Sequence, residues 1–466
     1  MTQQAVEHYL RAGTLQMAAL PPLALYVHLP WCLKKCPYCD FNSHEAAAGR
    51  SAVMAGPGPV SGRNRKAASA PLLALDPARD PALAPVLDPA LEQRYLEALR
   101  ADLEAALPLV WGRRVRSVFI GGGTPSLFSP DSIDRLLADI RARLVLEPGA
   151  EVTLEANPGT FEKNRFKAFR AAGVTRLSIG VQSFDDDALE RLGRVHDAQQ
   201  ARAAVAEARS AFDTFNIDLM YALPGQDLAG LQRDLETALS FAPPHLSVYH
   251  LTLEPNTTFA AHPPPQLPDD DLASDMLDLI TQQTAATGLQ RYEVSAFARP
   301  GHRCQHNLNY WEFGDYLGLG AGAHGKLSFP HRVVRQVRWR EPAAYMLNAL
   351  AGKAVSNEHE VSRRDLAFEY MLGALRLREG FDLDGYAQRT GLPLSSVMPT
   401  LNEAERRGLV LIVEATAAAS AKVGAGAGDM PGRRVVPTER GFDFLSDLQA
   451  LFLPAVAKAK DTPSDA

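Results

Sequence analysis

The sequence alternates between strand and helix patterns over most of its length, and this alternation constrains the fold more than any other feature. An apolar strand pattern lies at residues 23–29, and from residue 91 to residue 298 helical and strand patterns follow one another in turn. Such alternation is typical of βαβ units, in which a crossover helix joins two parallel strands. Six or seven units fit a complete or partial (β/α) barrel better than a short doubly wound sheet. We therefore expect an α/β fold with a partial (β/α) barrel of about six units over residues 23–300. The predicted helices span residues 91–107, 131–143, 161–173, 185–192, 198–211, 227–241 and 271–286, and the later strands span residues 115–123, 151–158, 175–183, 214–224, 245–255 and 289–298.

Polar and glycine-rich signatures follow these strands at their carboxyl ends. Any one of them is as often an ordinary turn as a functional segment. Five at corresponding ends are hard to assign to turns alone, and in a βα barrel that edge carries the active site. The signatures are a cysteine loop after residues 23–29, GGGTP at 121–125, EANPG at 155–159, GVQSF at 180–184 and NIDLMYALPG at 216–225.

The segments outside the alternating pattern differ from it in composition. Residues 46–90 are low in complexity, since 24 of the 45 are Ala, Gly or Pro and none is aromatic, and such a segment lacks the apolar side chains to fold by itself. Residues 365–450 show three helix patterns, a strand and a hairpin, interrupted by an Ala/Gly-rich stretch at 415–429, and resemble a small α+β winged-helix-like domain. The predicted organisation is an N-terminal extension (1–22), the barrel (23–300) with its insertion (46–90), a connecting region (301–364), the winged-helix-like domain (365–450) and a tail (451–466).

Composition excludes several function classes. The chain is 46% hydrophobic and 22% charged, as an ordinary globular protein is. Its 48 basic and 54 acidic residues give a net charge of −6, so it lacks the basic excess that sequence-independent nucleic-acid binding requires. We find no run of 18 apolar residues and no apolar core of a signal peptide in the first 20 residues. We expect a cytoplasmic protein with no transmembrane segment and no nucleic-acid partner.

The four cysteines give the strongest chemical signal. Cys32, Cys36 and Cys39 form a CxxxCxxC pattern, whereas Cys304 is isolated. Clustered thiols in a chain with so few cysteines indicate a metal or cluster site rather than a disulfide framework. Three thiolates on one tight loop can each bind one iron of a cubane cluster, which leaves the fourth iron open for a ligand. A zinc site completed by His28 or His44 is the alternative.

The CxxxCxxC loop follows a first β-strand and has an aromatic residue before its last cysteine, and this combination resembles the radical SAM superfamily. The resemblance implies a [4Fe–4S] cluster on Cys32, Cys36 and Cys39, whose open iron binds the amino and carboxylate groups of S-adenosylmethionine (SAM). An electron from the cluster would then cleave the sulfonium to give methionine and a 5′-deoxyadenosyl radical. That chemistry belongs to the cofactor, and the protein positions it and excludes competing reactions.

The same resemblance gives SAM-binding roles to residues near the strand ends. GGGTP resembles the superfamily's motif for the methionine amino group, because glycines let the backbone approach a ligand and expose its N–H groups. Glu155 is expected to bind a ribose hydroxyl or the amino group of SAM; the alternative is that it only caps a helix. Arg194 is expected to bind the carboxylate of SAM; the alternative is a solvated helix residue. Tyr26 resembles a SAM-contacting position, or packs in the core. The expected SAM-binding residues are Tyr26, Tyr38, Gly122, Gly123, Thr124, Glu155, Gln182, Arg194 and Asp218.

Further motifs resemble the coproporphyrinogen-dehydrogenase-like group of this superfamily, within which two functions compete. Oxygen-independent coproporphyrinogen III dehydrogenase, which oxidatively decarboxylates propionates, has another Cys two residues after the third and a longer N-terminal extension. Here Phe41 stands at that position, and only about 22 residues precede the first strand. The HemW-type heme chaperone family lacks that cysteine and is the better match. The motifs are YVHLPWC, CPYCDFNS, GGGTPS, EANPGT, GVQSF, RLGRVH, NIDLMYALPGQ, LTLEPNT and QHNLNYW.

The HNxxYW motif at residues 306–311 is linked in the chaperone family to heme binding. Because imidazole is a common axial ligand of heme iron, the resemblance implies that His306 binds the iron, or else that it is a hydrogen-bonded loop histidine. Tyr310 and Trp311 would line the porphyrin face. Cys304 is expected to be a small buried thiol. His28, His250 and His324 have no assigned role.

The leading hypothesis is a radical SAM heme chaperone that binds heme and passes it to an apo-hemoprotein of the respiratory chain. Its expected partners are heme, that acceptor, a reductant for the cluster and, through peripheral contact, membrane proteins. The alternative is the dehydrogenase reaction on coproporphyrinogen III. A third hypothesis is a DNA-binding regulator with an iron–sulfur sensor and a winged-helix-like tail, which predicts salt-sensitive DNA binding.

Overall fold

The computed structural model describes residues 9–46, 87–159, 165–414 and 432–454. The predicted insertion at 46–90, the Ala/Gly-rich stretch at 415–429 and the tail at 451–466 lie wholly or mostly outside the described residues. Within the described residues, none of the helices is both long enough and apolar enough to cross a membrane.

A twelve-stranded mixed sheet forms the centre of the described structure, and a three-stranded sheet lies near the C-terminus. The strands are β1 (Leu23–Leu29), β2 (Trp31–Cys32), β3 (His44–Glu45), β4 (Arg114–Gly122), β5 (Val145–Ala156), β6 (Arg176–Gln182), β7 (Thr214–Tyr221), β8 (His245–His250), β9 (Gln290–Arg291), β10 (Ala296–Ala298), β11 (Asp315–Leu319), β12 (His324–Phe329), β13 (Arg332–Arg338), β14 (Val355–Glu360), β15 (Phe381–Asp382), β16 (Val410–Glu414) and β17 (Arg433–Pro437). The order in the large sheet is β14-β13-β12-β11-β1-β4-β5-β6-β7-β8-β10-β9, and the small sheet has the order β15-β17-β16.

The helices cover the strands and carry the connections between them. Several begin at a side chain that accepts a hydrogen bond from the first turn, as Ser129 does from the amide of Ser132 (3.2 Å) and Asp269 does from that of Leu272 (2.9 Å). Such a cap contributes about 1 kcal/mol and determines where the helix begins. The helices are α1 (Pro89–Ala106), α2 (Pro130–Arg143), α3 (Arg165–Ala172), α4 (Asp186–Arg191), α5 (Ala198–Ala211), α6 (Leu228–Ser240), α7 (Thr258–Ala261), α8 (Asp270–Ala286), α9 (Gln305–Trp311), α10 (Pro342–Leu350), α11 (Arg363–Ala374), α12 (Leu383–Thr390), α13 (Met398–Arg406), α14 (Glu439–Asp443) and α15 (Leu445–Ala450).

Six strands in sequence order, β1 and β4 to β8, are parallel neighbours. Their central residues are apolar and buried, as in a parallel sheet that is covered on both faces. This arrangement confirms the α/β class and the partial (β/α) barrel of about six units. The carboxyl ends of these strands share one edge of the sheet, which is where the sequence signatures lie.

The prediction of one continuous strand at residues 289–298 was wrong. β9 runs in the same direction as β8, as a connection through α8 allows, but the chain reverses at residues 292–295 and places the antiparallel β10 between them. The apolar pattern of the segment is compatible with either arrangement, so the reversal was not visible in it.

Residues 301–364 extend the sheet at the edge of β1. β11 pairs parallel to β1, and β12, β13 and β14 continue antiparallel beyond it. The carboxylate of Asp315 on β11 is fully buried, where it binds Lys326 (3.0 Å) and Arg113 (2.9 Å). These residues therefore form part of the main sheet as well as linking it to the C-terminal region.

The C-terminal region packs around a second apolar core, to which Leu15, Phe313 and Val333 also contribute. Helices α11, α12 and α13 pack with the three-stranded sheet around buried Leu366, Tyr386 and Leu401. Three helices and a small antiparallel sheet form the winged-helix-like α+β arrangement that was predicted.

Candidate cluster and cofactor site

The cysteine loop is anchored at both ends and in the middle. Trp31, just before Cys32, is buried against the rings of Tyr95 (4.8 Å between centroids) and Phe128 (5.8 Å). The pair β2–β3 closes the loop, and the carbonyl of Pro37 accepts a hydrogen bond from the amide of Phe259 (3.0 Å) on the far side of the barrel. The loop is thus held across the carboxyl edge of the sheet.

All three loop thiols are partly exposed, and each has a polar neighbour. The hydroxyl of Thr124 donates to Cys32 Sγ (3.5 Å), Arg194 donates to Cys36 Sγ (3.5 Å), and the Ser43 hydroxyl lies 3.7 Å from Cys39 Sγ. Burial raises the pKa of Cys32 to about 11, so the binding of metal as thiolate releases a proton at neutral pH. Cys304 is buried away from the loop and donates to Glu151 (3.6 Å), which agrees with its expected role as a small buried thiol.

The glycine motif packs directly beneath the cysteine loop. The amides of Gly123 and Thr124 donate to the carbonyls of Leu29 and Trp31 (2.8 Å each). A Cβ atom on Gly123 would lie 2.6 Å from the Trp31 carbonyl oxygen, so no larger residue fits without moving the loop. Gly122 has φ +117°, which favours glycine, and a Cβ there would meet the ring of His28.

Two carboxylates form part of the polar floor behind the thiols. Glu155 accepts from the amide of Gly122 (3.0 Å), and burial raises its pKa to about 7, with the nearby Asp218 adding to the shift. Burial also raises the pKa of Asp218, which accepts hydrogen bonds from Ser178 (3.1 Å) and Asn216 (2.7 Å). Glu155 accepts through one oxygen only and keeps the other beside the cavity, whereas both oxygens of Asp218 already accept hydrogen bonds and can add a ligand only through their remaining lone pairs.

Arg194 connects three parts of this floor. Its guanidinium donates to Asn157 (2.6 Å) and to the Gly180 carbonyl (2.7 Å), in addition to Cys36. It is therefore not the solvated helix residue that was the alternative.

Gln182 adopts φ +68°, a backbone conformation that costs a non-glycine residue about 1–3 kcal/mol and that is found preferentially at functional sites.

A cavity of about 560 Å³ brings most of the predicted site together. It is called the cluster cavity here, and its volume lies within the ~300–1,000 Å³ of small-molecule sites. Its lining includes all three loop cysteines and every predicted SAM-binding residue except Tyr26. Sequence reasoning missed Asn157, Asn216 and His245, although Asn157 lies in the EANPG motif and Asn216 shares a strand face with Asp218.

Tyr26 lies in a second cavity of about 540 Å³ on the other side of the segment that follows Cys39. Residues 40 and 41 line both cavities. The predicted heme contacts Tyr310 and Trp311 also line the second cavity. Tyr26 therefore lines the second cavity together with part of the HNxxYW motif, yet it stays near the cluster cavity, because burial and then the nearby Glu155 carboxylate raise the pKa of its hydroxyl.

His306 lines neither cavity. Its side chain is 1% exposed, and its ring nitrogens are hydrogen-bonded to Ser117 Oγ (3.0 Å) and to the Tyr310 hydroxyl (3.0 Å). Burial lowers its pKa to about 3, so the ring is neutral at physiological pH. In this conformation neither nitrogen is free to bind iron, and the alternative of a hydrogen-bonded histidine describes His306 better than the expected axial ligand.

The fold and the cysteine site together define a class of protein. Residues 26–238 match the radical SAM superfamily, and residues 361–417 match the HemN C-terminal domain. The structure of coproporphyrinogen III oxidase (HemN) from Escherichia coli matches with a TM-score of 0.68 at 22% identity, covering 97% of this chain and 93% of that one. The protein is a radical SAM protein with a HemN-like fold.

Sequence comparison identifies the family within that class. The heme chaperone HemW of Escherichia coli is 42% identical over 84% of this chain and 92% of its own length. The HemW proteins of Haemophilus influenzae and Bacillus subtilis are 43% and 30% identical over 82% and 83% of this chain and 89% and 92% of their own lengths. The chain belongs to the HemW family of heme chaperones.

Membership of the radical SAM superfamily implies a [4Fe–4S] cluster and SAM, and the residues present fit both. Three partly exposed thiols at the edge of the cluster cavity provide the donors, and hydroxyl and guanidinium groups lie beside the sulfurs. Among the described residues, no three His, Cys, Asp or Glu side chains converge on one point as the ligands of a single metal ion do. The cluster is therefore implied by membership of the superfamily, and the side-chain arrangement does not show a single-metal site among the described residues.

Proposed function

We propose that the protein is a cytoplasmic heme chaperone that carries a [4Fe–4S] cluster and SAM, binds heme and transfers it to an apo-hemoprotein of the respiratory chain. Cys32, Cys36 and Cys39 would hold the cluster. When bound, the cluster and SAM supply radical chemistry, for which a reductant partner is needed. Peripheral contact with membrane proteins would bring the acceptor within reach.

The observation that carries this proposal is the pair of cavities on either side of residues 40–41. A protein that holds both a SAM-bound cluster and a porphyrin cargo needs two neighbouring sites of cofactor size. The cluster cavity contains the thiols and the polar floor, and the second cavity is lined by aromatic side chains. The family to which the chain belongs supports heme as the cargo of the second cavity.

Within the cluster cavity, the chain's own groups suit the parts of SAM. Glu155 and Asp218 offer carboxylate oxygens that suit ribose hydroxyls and the amino group. Arg194 offers a cation that suits the methionine carboxylate. Met220 and Leu251 are buried apolar side chains that form part of the cavity wall.

The dehydrogenase reaction on coproporphyrinogen III is the second candidate, and Phe41 argues against it. The resemblance associates that reaction with a further cysteine at this position, and Phe41 is 64% exposed beside both cavities. An exposed phenyl ring here provides apolar contact area and no thiol.

The proposal is tested by comparing the Cys36→Ala variant with the Cys304→Ala variant after anaerobic reconstitution. Bound iron and sulfide should be lost in Cys36→Ala, because one iron loses its ligand, and retained in Cys304→Ala, because that thiol lies outside the loop. Full iron and sulfide in Cys36→Ala would contradict the cluster assignment.

Heme binding and transfer are measured with the reconstituted wild-type protein. Saturable binding of heme, followed by its appearance in an added apo-hemoprotein, is expected of a chaperone. If no heme binds and coproporphyrinogen III is instead oxidised in the presence of SAM and a reductant, the dehydrogenase function replaces the proposal.

A further inference from the structure

The second cavity has a lining suited to a planar apolar macrocycle. It lies where the edge of β1 and β11 meets α9 and α11, and its walls include a set of aromatic side chains. Two of these form an edge-to-face pair, Tyr310 and Tyr316, with centroids 4.5 Å apart. The aromatic residues lining the cavity are Tyr26, Phe41, Tyr310, Trp311, Phe313 and Tyr316.

Two histidines line this cavity, and they differ in availability. His28 is 4% exposed, and its ring bonds the Tyr26 hydroxyl (2.9 Å) and the Asn42 carbonyl (3.0 Å). His324 begins β12, is exposed, and its ring forms no hydrogen bond with any other residue that the structure describes. Of the two, His324 is the imidazole with nitrogen atoms free to bind a metal.

The three basic side chains that line the cavity also differ in whether they already have a partner. Lys326 binds Asp315, and Arg335 binds Glu369 (2.7 Å) and the Tyr316 hydroxyl. Arg340 is exposed, and its guanidinium forms no ion pair or hydrogen bond within the described residues. A guanidinium that has no partner among the described residues, in the lining of a cavity with aromatic walls, suits a carboxylate at the edge of a bound ligand.

We infer that the second cavity is the heme site, with His324 binding the iron and Arg340 binding a propionate. This inference rests on the proposed chaperone function and adds the location of the cargo. A heme has an apolar macrocycle for the aromatic walls, an iron for an imidazole and two propionates for a cation, and the cavity offers all three partners. Its volume of about 540 Å³ lies within the ~300–1,000 Å³ of cofactor sites.

The HNxxYW motif then forms the wall of the site rather than supplying the ligand. His306 holds the Tyr310 hydroxyl, and Tyr310 and Trp311 line the cavity. In this arrangement His306 is a positioning residue. Its substitution should weaken heme binding without changing the identity of the iron ligand.

The test is an anaerobic heme titration of the cluster-reconstituted full chain, followed by absorbance, for the wild type and four variants. His324→Ala should bind heme at least about tenfold more weakly, with a shifted absorbance band that added imidazole restores. Arg340→Gln should weaken binding several-fold without moving the band. His306→Ala should weaken binding but keep the wild-type band. His359→Ala is the matched control, because His359 is an exposed histidine of the same sheet that lines neither cavity.

The outcomes separate this inference from the proposed function. Heme binding by the wild type with an unchanged band and affinity in His324→Ala would overturn the inference and leave the chaperone function standing. A band lost in His306→Ala and kept in His324→Ala would return the ligand to the HNxxYW motif. A wild type that binds no heme would refute the proposed function itself, and the inference with it. Equal thermal unfolding of all variants excludes misfolding as the cause.

Discussion

Replacing Gly123 by alanine should disable the cluster site without touching a cysteine. The added Cβ would lie 2.6 Å from the Trp31 carbonyl oxygen, 2.7 Å from the Pro30 carbonyl carbon and 2.8 Å from the Pro30 oxygen. Real Cβ atoms essentially never come within 3.0 Å of such atoms, so the closest of them must move by at least 0.4 Å, the difference between 3.0 and 2.6 Å. The obstacle is backbone, which cannot rotate away as a side chain can.

The segment that must move is the one that delivers Cys32 to the cavity. Overpacking of this kind costs about 1–3 kcal/mol. Because the shift per kcal/mol falls with chain length, to about 1 °C for 466 residues, the apo protein should lose about 1–3 °C of thermal stability. Changes in the residues that orient metal ligands typically cost about 10–100-fold in metal affinity, so reconstituted iron and sulfide should fall well below the wild-type level.

The assay measures iron and sulfide per chain after reconstitution, together with thermal unfolding before it. Gly159→Ala is the control, because Gly159 lines the same cavity and a Cβ there would meet no heavy atom of the described residues within 4 Å. If Gly123→Ala takes up as much cluster and unfolds at the same temperature as Gly159→Ala, the argument that the glycine motif supports the loop sterically is refuted.

Two further predictions concern buried charges. Asp315→Ala should destabilise the protein by about 3–5 kcal/mol in urea unfolding, because it leaves Lys326 buried without its partner. The control is Asp447→Ala, a change at an exposed residue, which should have almost no effect. If the two variants unfold at the same urea concentration, the argument from the buried pair is contradicted. Glu155→Gln should remove a pH dependence of stability in the apo protein. Since burial raises the folded pKa of Glu155 from 4.5 to about 7, the folded wild type takes up a proton before the unfolded chain does as pH falls. Its stability relative to Glu155→Gln should therefore be greatest below pH 4.5 and decline as pH rises through 7, and a difference independent of pH would count against the shifted pKa.

The features predictable from sequence were those encoded by neighbouring residues. The barrel strands, their crossover helices and the residues at the carboxyl ends follow from local periodicity, because parallel strands bring their ends to one edge. This is why Gly123, Glu155 and Asp218, which are far apart in the chain, line one cavity.

What the sequence could not reveal depended on long-range contacts. His306 is held by Ser117, a residue of β4 that lies 189 positions earlier, and no local pattern encodes that pairing. The motif alone could not distinguish an iron ligand from a residue that holds Tyr310 in a cavity wall. Likewise, the placement of β11 beside β1 depends on the open edge of the sheet rather than on the pattern of residues 315–319.

Asn42 ties the segment after Cys39 to the chain beside the second cavity. Its side-chain amide donates to the carbonyls of Ala321 (2.9 Å) and Arg340 (2.8 Å), which lie just before β12 and just after β13, and its own carbonyl accepts from His28. A residue three positions after Cys39 is thus tied to both chain segments beside the second cavity. If cluster assembly shifts Asn42, it changes heme affinity by some factor, and reciprocity requires that heme change the affinity for the cluster by the same factor. The order in which the protein acquires its two iron-containing ligands would then affect how fast it loads but not the final free energy of the loaded state.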